Sequence, residues 1–572
     1  VMKNVWMIIL CFSVNYTMAQ FNTNYWYFGK KAGVYFDSAG VHATTGSLVA
    51  AEGTASIADR CGLLFYTEGD TVWNKQHQMM AGGFGVGGKC EGFAVNSSTQ
   101  SSLIVRQPSS DSIFYLFTTD CVEDSLQDGL RYSIINMNRQ NGLGEVVLKN
   151  QPLLPLAEEK ITAVKHANGC DIWIITHKFK SKDFYAYRLD AIGLDTVPVI
   201  TTTGQIHNCQ NPNYMHGRGY LKASPNGEKL INVNPDGAYF YCDTTFAELF
   251  SFNKQTGGVT SDFIFPLDST NWWGSYNGWT IPFYGATFSP DNSKLYLSSG
   301  FYGPHLFQYD LSSGVAATIL ASKTFLATPF PYPAPLRNFP TAMVNAPDGK
   351  IYIGQKYREY LGVIQHPNLA GLSCNYIDSA LQLQAGTESG WGGLPNFFEY
   401  YINPKVLASK FTCNLIVAQG DSVAFQNLSI GATNYSWHFG DGTYSSLINP
   451  VHVYTDTGYV DISLFAKDSA CDVDRLCQTI YVTKSAVDAL HEVETSTQFQ
   501  ISPNPFIDEF EIHTNRAANY KLQLFSSTGQ LLREQLFQTS LRWQSANLPK
   551  GVYYVKLYEG NQWVAVKRVL KN

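Results

Sequence analysis

Short runs of alternating hydrophobic and polar residues fill most of the chain, and Gly, Pro, Asn and Asp separate them. The clearest runs lie in three similar segments, residues 223–231, 288–296 and 345–352. Each segment predicts a strand, a Pro-Asn or Pro-Asp turn and a second strand, because alternation with period two is typical of strands and these dipeptides favour turns. The pattern therefore predicts an all-β chain built from repeated units.

The spacing of these units favours a β-propeller over residues 20–403. Pro225, Pro290 and Pro347 stand at the same place in the three clear copies and are 65 and 57 residues apart, which suits four-stranded blades with long loops. Looser copies precede them at 57–65, 102–117 and 163–174. A further strand follows several copies, at 184–189, 249–252 and 306–310.

Six such units and a split seventh would close a ring of about seven blades. In this prediction residues 394–401 add a strand beside residues 25–28 and so join the two ends of the region. Closure is favourable because it removes exposed sheet edges. An array of β-sandwiches is the alternative to the propeller.

Several short segments of this region are similar to the propeller region of large surface proteins from Bacteroidota. They are residues 25–29 (YWYFG), 63–69 (LLFYTEG), 72–74 (VWN), 98–101 (STQS) and 165–168 (KHAN). The resemblance covers roughly the first four hundred residues. It implies a propeller fold and a location at the cell surface, and it implies little about chemistry.

A different pattern of shorter strands begins after the propeller region. Residues 434–443 (NYSWHFGDGT) resemble a PKD domain, an immunoglobulin-like sandwich, which we place at residues 408–484. Trp437 and Phe439 alternate on one strand and are expected to point inward. Asp441 lies in a Gly-Asp-Gly turn, so we interpret it as a turn residue that accepts backbone hydrogen bonds rather than as a metal ligand or catalytic acid.

The last part of the chain, residues 499–572, follows a polar linker at residues 485–498. Its motifs are 501–506 (ISPNPF), 527–530 (STGQ), 548–555 (LPKGVYYV) and 567–572 (KRVLKN). Their order resembles the type A sorting domain of type IX secretion. The resemblance implies a partnership with the type IX machinery, passage across the outer membrane, and surface attachment or release after removal of this domain. Alternation along residues 552–557 predicts one packed strand face of a small sandwich.

The first 19 residues have the pattern of a secretory signal peptide. A positive charge at Lys3 precedes an apolar run at residues 5–14, and Ala19 offers a small residue for cleavage. The run is shorter than the ~20 apolar residues that a membrane span needs. No integral membrane span is expected.

Composition and charge narrow the class of protein. Hydrophobic residues make up 45% and charged residues 15% of 572 residues, which describes a folded chain of several domains. The net charge of −6 lacks the basic excess of a nucleic-acid-binding protein, so nucleic acid is not an expected partner.

Ten cysteines remain after removal of the signal peptide, and export permits disulfides. We expect a bridge between Cys413 and Cys471, with Cys471 to Cys477 as the alternative. The other seven are expected to be unbridged core residues of the propeller: Cys61, Cys90, Cys121, Cys170, Cys209, Cys242 and Cys374.

The sequence contains no HExxH, no GxSxG, no P-loop and no dinucleotide fingerprint. No catalytic residue, cofactor or metal site is therefore assigned. Residues 271–279 bring four aromatic rings together, which could stack on sugar faces or pack in the core. The candidate ligand-binding residues are Trp272, Trp273, Tyr276, Trp279, His216 and Arg218.

Several other titratable residues stand on or near predicted strand ends. They are Glu52, Glu68, Asp70, Glu91, His166, His177 and His207. We interpret them as solvated turn residues. Paired carboxylates would suit glycoside hydrolysis only at a defined separation, which a sequence does not give.

The favoured function is a secreted, surface-attached binding or adhesion protein. In this hypothesis the propeller is the platform for polysaccharide or another surface protein, and the PKD domain is a spacer. The alternatives are a secreted propeller enzyme that acts on extracellular polysaccharide and a structural, envelope or gliding-associated surface component.

Overall fold

The computed structural model describes residues 21–87, 90, 96–207, 217–235, 246–266, 283–300, 305–327, 339–402, 406–484, 499–526, 530–544, 548–560 and 562–571. They form two compact units. The first holds the described residues up to Val417 with 422–454 and 458–481, and the second holds 418–421, 455–457 and the described residues from Val482 onward. The predicted signal peptide and linker lie outside the described residues. No helix in the described part has the length and hydropathy of a membrane span.

The described residues between 25 and 382 form seven successive antiparallel sheets, two of which join edge to edge into one eight-stranded sheet. The first contains β1 (Tyr25–Phe28), β2 (Lys30–Asp37) and β3 (Gly40–Val49). The second and third contain β4 (Ala55–Asp59), β5 (Gly62–Thr67), β6 (Thr71–Asn74), β7 (Met79–Phe84), β8 (Ser102–Arg106), β9 (Ile113–Thr119), β10 (Leu130–Asn136) and β11 (Glu145–Leu154). β7 and β11 pair in parallel, so these two sheets are continuous at their outer edges.

The remaining four sheets have four strands each. The fourth and fifth contain β12 (Ala157–Lys165), β13 (Ile172–Lys178), β14 (Asp183–Leu189), β15 (Val199–Thr202), β16 (Leu221–Ala223), β17 (Lys229–Asn234), β18 (Phe246–Phe252) and β19 (Val259–Phe265). The sixth and seventh contain β20 (Gly285–Phe288), β21 (Lys294–Ser298), β22 (Leu306–Asp310), β23 (Thr324–Phe325), β24 (Pro340–Asn345), β25 (Ile351–Gln355), β26 (Tyr360–Ile364) and β27 (Tyr376–Gln382). Helix α1 (Ala316–Ala321) precedes β23.

The sheets are the blades of a propeller. The first strands of the second to seventh sheets, β4, β8, β12, β16, β20 and β24, contact one another in succession. Trp26 of the first sheet packs edge-on against Tyr352 of the last, with ring centroids 5.6 Å apart, and this contact closes the ring. Buried rings fill the space between blades, as Phe184 and Phe250 do at 4.9 Å, because each blade is apolar on both faces.

The strands of the predicted repeat are confirmed. The turns of its three clear copies share one backbone conformation. The third residue of each turn, Gly227, Asn292 or Gly349, has φ between 67° and 78°. Only glycine, and to a lesser degree asparagine, adopts this left-handed backbone easily. The Pro-Asn-Gly, Pro-Asp-Asn and Pro-Asp-Gly sequences are therefore required by the same tight reversal between a blade's first and second strands.

The prediction that residues 394–401 add a strand beside β1 is wrong. Pro395 makes a single bridge to Thr54, and Glu399–Ile402 is a 3-10 helix. Proline has no N–H to give to a ladder, which prevents a regular strand there. The segment instead joins blades through Asn396, whose side-chain amide donates to the Ser102 and Ile161 carbonyls at 3.4 and 3.1 Å.

The PKD region forms a sandwich whose inward residues are those predicted. Its strands are β28 (Phe411–Thr412), β29 (Ile416–Ala418), β30 (Ser422–Ala424), β31 (Gln426–Asn427), β32 (Asn434–His438), β33 (Tyr444–Ser445), β34 (Val451–Val453), β35 (Gly458–Lys467) and β36 (Val473–Thr483). Trp437 and Phe439 are buried. Asp441 accepts the Thr443 N–H at 3.0 Å and contacts His452 at 2.6 Å, which confirms its role in the turn.

Two disulfides fix this sandwich to the propeller. They join Cys61 to Cys477 and Cys170 to Cys471. Both predicted pairings of Cys471 are therefore wrong, because the fold brings the loops β4–β5 and β12–β13 to these cysteines across 416 and 301 residues of chain. The PKD domain is consequently not a freely moving spacer.

The other described cysteines divide between bridged and unbridged. Cys90 and Cys121 form a third disulfide, so the expectation of unbridged propeller cysteines fails for four of the seven. Cys374 is unbridged and buried, as expected, and Cys413 is unbridged as well. Cys209 and Cys242 lie outside the described residues.

The second compact unit contains the C-terminal sandwich. Its strands are β37 (Phe499–Ser502), β38 (Glu509–Thr514), β39 (Tyr520–Ser526), β40 (Leu531–Phe537), β41 (Ser540–Gln544), β42 (Gly551–Glu559) and β43 (Gln562–Lys571). They form a three-stranded and a four-stranded sheet. Tyr553, Val555 and Leu557 of β42 are buried in the core between these sheets, which confirms the predicted packed face.

Candidate functional site

The segments that lead into the inner strands of neighbouring blades meet at one face of the propeller. Gly53 donates its N–H to the Ser98 carbonyl at 3.1 Å, Gln100 donates to Glu159 at 3.1 Å, and Glu159 donates to Gly217 at 3.0 Å. These bonds link the starts of β4, β8, β12 and β16. Polar side chains that stand at these starts are thereby brought together, although they are far apart in sequence.

Three glutamates and an arginine form what we call the entrance cluster: Glu52, Glu123, Glu159 and Arg218. The Arg218 guanidinium lies 2.6 Å from Glu123 Oε1. Its positive charge also acts on both Glu52 and Glu159. Glu52 and Glu159 are buried, whereas Arg218 and Glu123 keep 26% and 15% of their side-chain surface exposed. The cluster thus presents an ion pair to solvent above two buried carboxyl groups.

Hydrogen bonds hold the two buried carboxyl groups in place. Tyr284, immediately before β20, donates its hydroxyl to Glu52 at 2.9 Å. Glu159 accepts from the Thr99 N–H and hydroxyl at 2.8 and 2.7 Å, and from the Val122 N–H at 2.7 Å. A register shift in the pairing of β12 with β13 accompanies the burial of Glu159 beside its neighbours in β12.

Burial dominates the electrostatics of these carboxyl groups. It raises the pKa of Glu52 well above its ordinary value, and the nearby charge of Glu159 raises it further. Burial and the charge of Glu123 raise the pKa of Glu159 to about 7. Arg218 acts in the opposite direction on both. Burial therefore favours the neutral form of the Glu52 carboxyl group, which can donate as well as accept hydrogen bonds.

The structure brings only part of the predicted ligand-binding set to this site. Arg218 lies at its centre, and its role in ligand binding stays a prediction. Trp272, Trp273, Tyr276, Trp279 and His216 lie outside the described residues.

The interpretation of the other titratable residues as solvated turn groups is wrong for five of them. Glu52, Glu68, His166, His177 and His207 are all buried. Sequence reasoning missed Glu52, Glu123 and Glu159 as partners of Arg218, because their proximity arises from ring closure. The only local signal was their position just before or after predicted strands.

Two groups of described residues approach the arrangement of metal ligands. Cys90, Cys121 and Glu123 form one, but its sulfur atoms are joined in a disulfide. Glu158, His177 and His207 form the other and are buried. Burial lowers the pKa of His207 to about 3 despite the charge of Glu158.

The arrangement offers several kinds of hydrogen bond to a ligand. The guanidinium of Arg218 supplies planar, paired donors, and Glu123 supplies acceptors. Ser97 donates its hydroxyl to Glu123 at 2.9 Å and so adds a further polar group. Such a set suits a polyhydroxylated or charged ligand better than an apolar one.

Two family models match parts of the chain. The PKD domain model matches residues 408–483, and the model described as the secretion system C-terminal sorting domain matches residues 500–572. No curated protein matches this sequence.

Among solved structures, the PKD1 domain of the Vibrio cholerae metalloprotease PrtV is 30% identical, with 14% of this chain and 99% of that chain aligned at a TM-score of 0.13. The β-propeller domain of Myceliophteria thermophila Cps50 (Swd1) is 10% identical over 58% of this chain and 94% of that one, at a TM-score of 0.31. The periplasmic gluconolactonase PpgL of Pseudomonas aeruginosa is 12% identical over 67% and 96%, at 0.29.

The two family models and the fold agree on the organisation of the chain. The sorting domain indicates export by the type IX machinery. The seven sheets supply the propeller, and the family model identifies the sandwich fixed to it. The chain is therefore a type IX-sorted protein of the cell surface or extracellular space, composed of a β-propeller, a PKD domain and a C-terminal sorting domain.

Proposed function

We propose that this protein is a surface-displayed binding protein whose propeller takes carbohydrate at the entrance cluster. The observation that carries the proposal is the partly exposed pair of Arg218 and Glu123 above the buried carboxyl groups of Glu52 and Glu159. Hydroxyl groups of a sugar are matched by carboxylate acceptors and guanidinium donors in one small area. An ion pair that only stabilised the fold would gain little from such exposure.

The position of the PKD domain supports this proposal. The sandwich contacts loops that follow the ends of β4, β8 and β12: Asp472 lies 3.1 Å from Lys165, and Arg475 lies 3.3 Å from Asp59. The entrance cluster stands at the starts of the same strands. The PKD domain therefore supports the propeller from the face opposite to the proposed site.

The experiment is a glycan array probed with the full exported protein, with neutral, acidic and amino-sugar glycans. Release of new reducing ends is measured on each glycan bound. We expect binding to a related group of glycans and its loss in Arg218→Ala. The control Arg188→Ala removes a rim arginine, 44% exposed, whose nearest carboxylates are 4.0 Å away. An array without any bound glycan would overturn the proposal.

The pair of buried carboxyl groups favours a second candidate, a glycan-cleaving enzyme. Glycoside hydrolysis uses two carboxyl groups on either side of the scissile bond. Glu52 and Glu159 interact electrostatically beside Arg218, and an enzyme of this class would need them at a defined separation on either side of the substrate. Reducing ends released by the wild type but not by Glu52→Gln would favour the enzyme, and binding without release would exclude it.

A further inference from the structure

A second polar cluster lies inside the fourth blade, behind the entrance cluster. Glu158 stands at the start of β12, His177 near the end of β13, and His207 after β15. His207 Nδ1 lies 2.5 Å from Glu158 Oε1, and His177 Nδ1 lies 3.4 Å from Glu158 Oε2. One ligand atom from each residue falls within 4.8 Å of the others. Two imidazoles and a carboxylate thus converge on one point.

The fold holds both histidines firmly. His207 donates its N–H to the Ser181 carbonyl at 3.3 Å, and its own carbonyl accepts the Lys180 N–H at 2.9 Å. The two imidazole rings stack with centroids 3.9 Å apart. Phe184 contacts the His177 ring at 4.7 Å and Phe246 contacts the His207 ring at 4.9 Å. Aromatic rings therefore surround the cluster and restrict water.

The polar atoms of His177 are poorly satisfied by the protein. Neither its Nδ1 nor its Nε2 makes a hydrogen bond among the described residues, and both atoms are buried. A buried polar group without a partner costs about 1–3 kcal/mol. A ring nitrogen of His177 that lies near a carboxylate and a second imidazole could be satisfied by a partner that accepts its lone pair.

Lys160 is the other charged group at this place. Its Nζ lies 3.1 Å from Glu158 Oε2, and the side chain is buried. It neutralises one oxygen of Glu158, whereas Oε1 faces His207. Asn232 approaches His207 Nε2 at 3.5 Å from β17. His177 Nδ1 and Lys160 thus both approach Oε2 of Glu158, whereas His207 Nδ1 approaches Oε1.

We propose that Glu158, His177 and His207 form a site for a divalent first-row transition-metal ion. Two imidazoles and one carboxylate are ligands that Zn²⁺ and its neighbours prefer, whereas Ca²⁺ and Mg²⁺ require mainly oxygen. The ion would tie β12, β13 and the segment after β15 together. Because Glu159 follows Glu158 directly, the site also anchors the strand start that carries the entrance cluster. This inference does not depend on carbohydrate binding.

The test uses the full exported protein, stripped with a chelator and titrated with Zn²⁺. We expect about one equivalent of tightly bound zinc by elemental analysis, and a rise in melting temperature that the chelator reverses. His177→Phe and His207→Phe keep ring volume and should lose the zinc. His513→Ala removes an exposed histidine and should keep it.

X-ray absorption on the zinc-loaded wild type needs no variant. It tests the proposed metal site even if the substituted proteins fail to fold. We expect two nitrogen ligands at about 2.0–2.1 Å and carboxylate oxygen. Zinc that stays in both phenylalanine variants, a coordination shell without imidazole, or a melting temperature that zinc does not change would each overturn the proposal.

Discussion

At the scale of single residues, Glu68 shows how burial couples stability to pH. Burial raises its pKa to about 8, and the charge of Asp70 adds to the shift. Glu68 Oε1 accepts the Thr71 N–H at 3.0 Å, a bond that an amide oxygen also accepts. Because the folded-state pKa lies above the unfolded value, the stability that the neutral group contributes is complete at low pH and is lost as pH rises toward 8.

We therefore expect Glu68→Gln to raise the melting temperature at pH 8–9 by several degrees and to change it little at pH 4–5. The measurement is thermal unfolding of both proteins across this range. The matched control is Glu228→Gln, since Glu228 is 62% exposed and should give parallel curves. An equal pH dependence of wild type and Glu68→Gln would contradict this account of Glu68.

The stability that Asp111 contributes changes with pH in the opposite direction. Its carboxylate lies 3.8 Å from His438 and 4.0 Å from Lys467 of the PKD domain. The interaction with His438, followed by the charge of Lys467, lowers the pKa of Asp111 to about 2. The stability that this group contributes is thus present above about pH 4 and is lost as pH falls toward 2.

We expect Asp111→Asn to lower the melting temperature at pH 6 and to approach the wild type near pH 2.5. Thermal unfolding at a series of pH values measures the difference. Asp195→Asn serves as the control because the bond that the Asp195 carboxylate accepts among the described residues is local, from the Val197 N–H at 3.0 Å. A difference between wild type and Asp111→Asn that grows on acidification would be contrary to the prediction.

The roles of residues that depend on local backbone geometry could be predicted from the sequence. The roles of residues that depend on closure of the propeller could not. Trp437 and Phe439 follow from alternation along one strand, and Asn292 follows from a turn that needs positive φ. Glu52 and His207 look like surface residues in the sequence. Burial of both follows from contacts with segments more than 40 residues away.

At the scale of elements, the attachment of the sandwich to three blade loops is the main departure from expectation. Besides the disulfides, Arg60 pairs with Asp474 at 2.8 Å and Lys165 with Asp472 at 3.1 Å. Tyr400 adds a hydrogen bond to Asp472 at 2.7 Å. The strands and turns could be predicted from the period-two alternation of hydrophobic residues and from the turn residues between the strands. No local pattern specifies which distant cysteines pair.

Disulfide mapping checks this attachment directly. Non-reducing digestion should yield peptides that link Cys61 to Cys477 and Cys170 to Cys471. The paired serine variants of each bridge should lose about 2–5 kcal/mol in the free energy of unfolding, because both bridges close long stretches of chain. A peptide that links Cys413 to Cys471 would refute the pairing.

At the scale of the whole molecule, export is assigned to a domain of its own. The sorting domain has its own core and accounts for transport. The number of blades and the order of domains were predictable from repeats and motifs, whereas the manner of ring closure was not, since Pro395 breaks the strand that the pattern suggested.

Removal of residues 499–572 should therefore abolish export without unfolding the rest. We expect the truncated chain to accumulate inside a host that carries type IX secretion, with the disulfides Cys61–Cys477 and Cys170–Cys471 still formed. Cell fractionation and disulfide mapping measure the two properties. Surface display of the truncated chain at the wild-type level would contradict the assignment of export to this domain.

The proposed ligand site of the propeller is the entrance cluster. Titration calorimetry with the glycan that binds best, on wild type, Arg218→Ala and Arg188→Ala, tests it most directly. We expect Arg218→Ala to weaken binding by about 10- to 100-fold, because it loses one or two charge-assisted hydrogen bonds. Arg188→Ala should bind as the wild type does. Equal affinity of Arg218→Ala and wild type would contradict the proposed site.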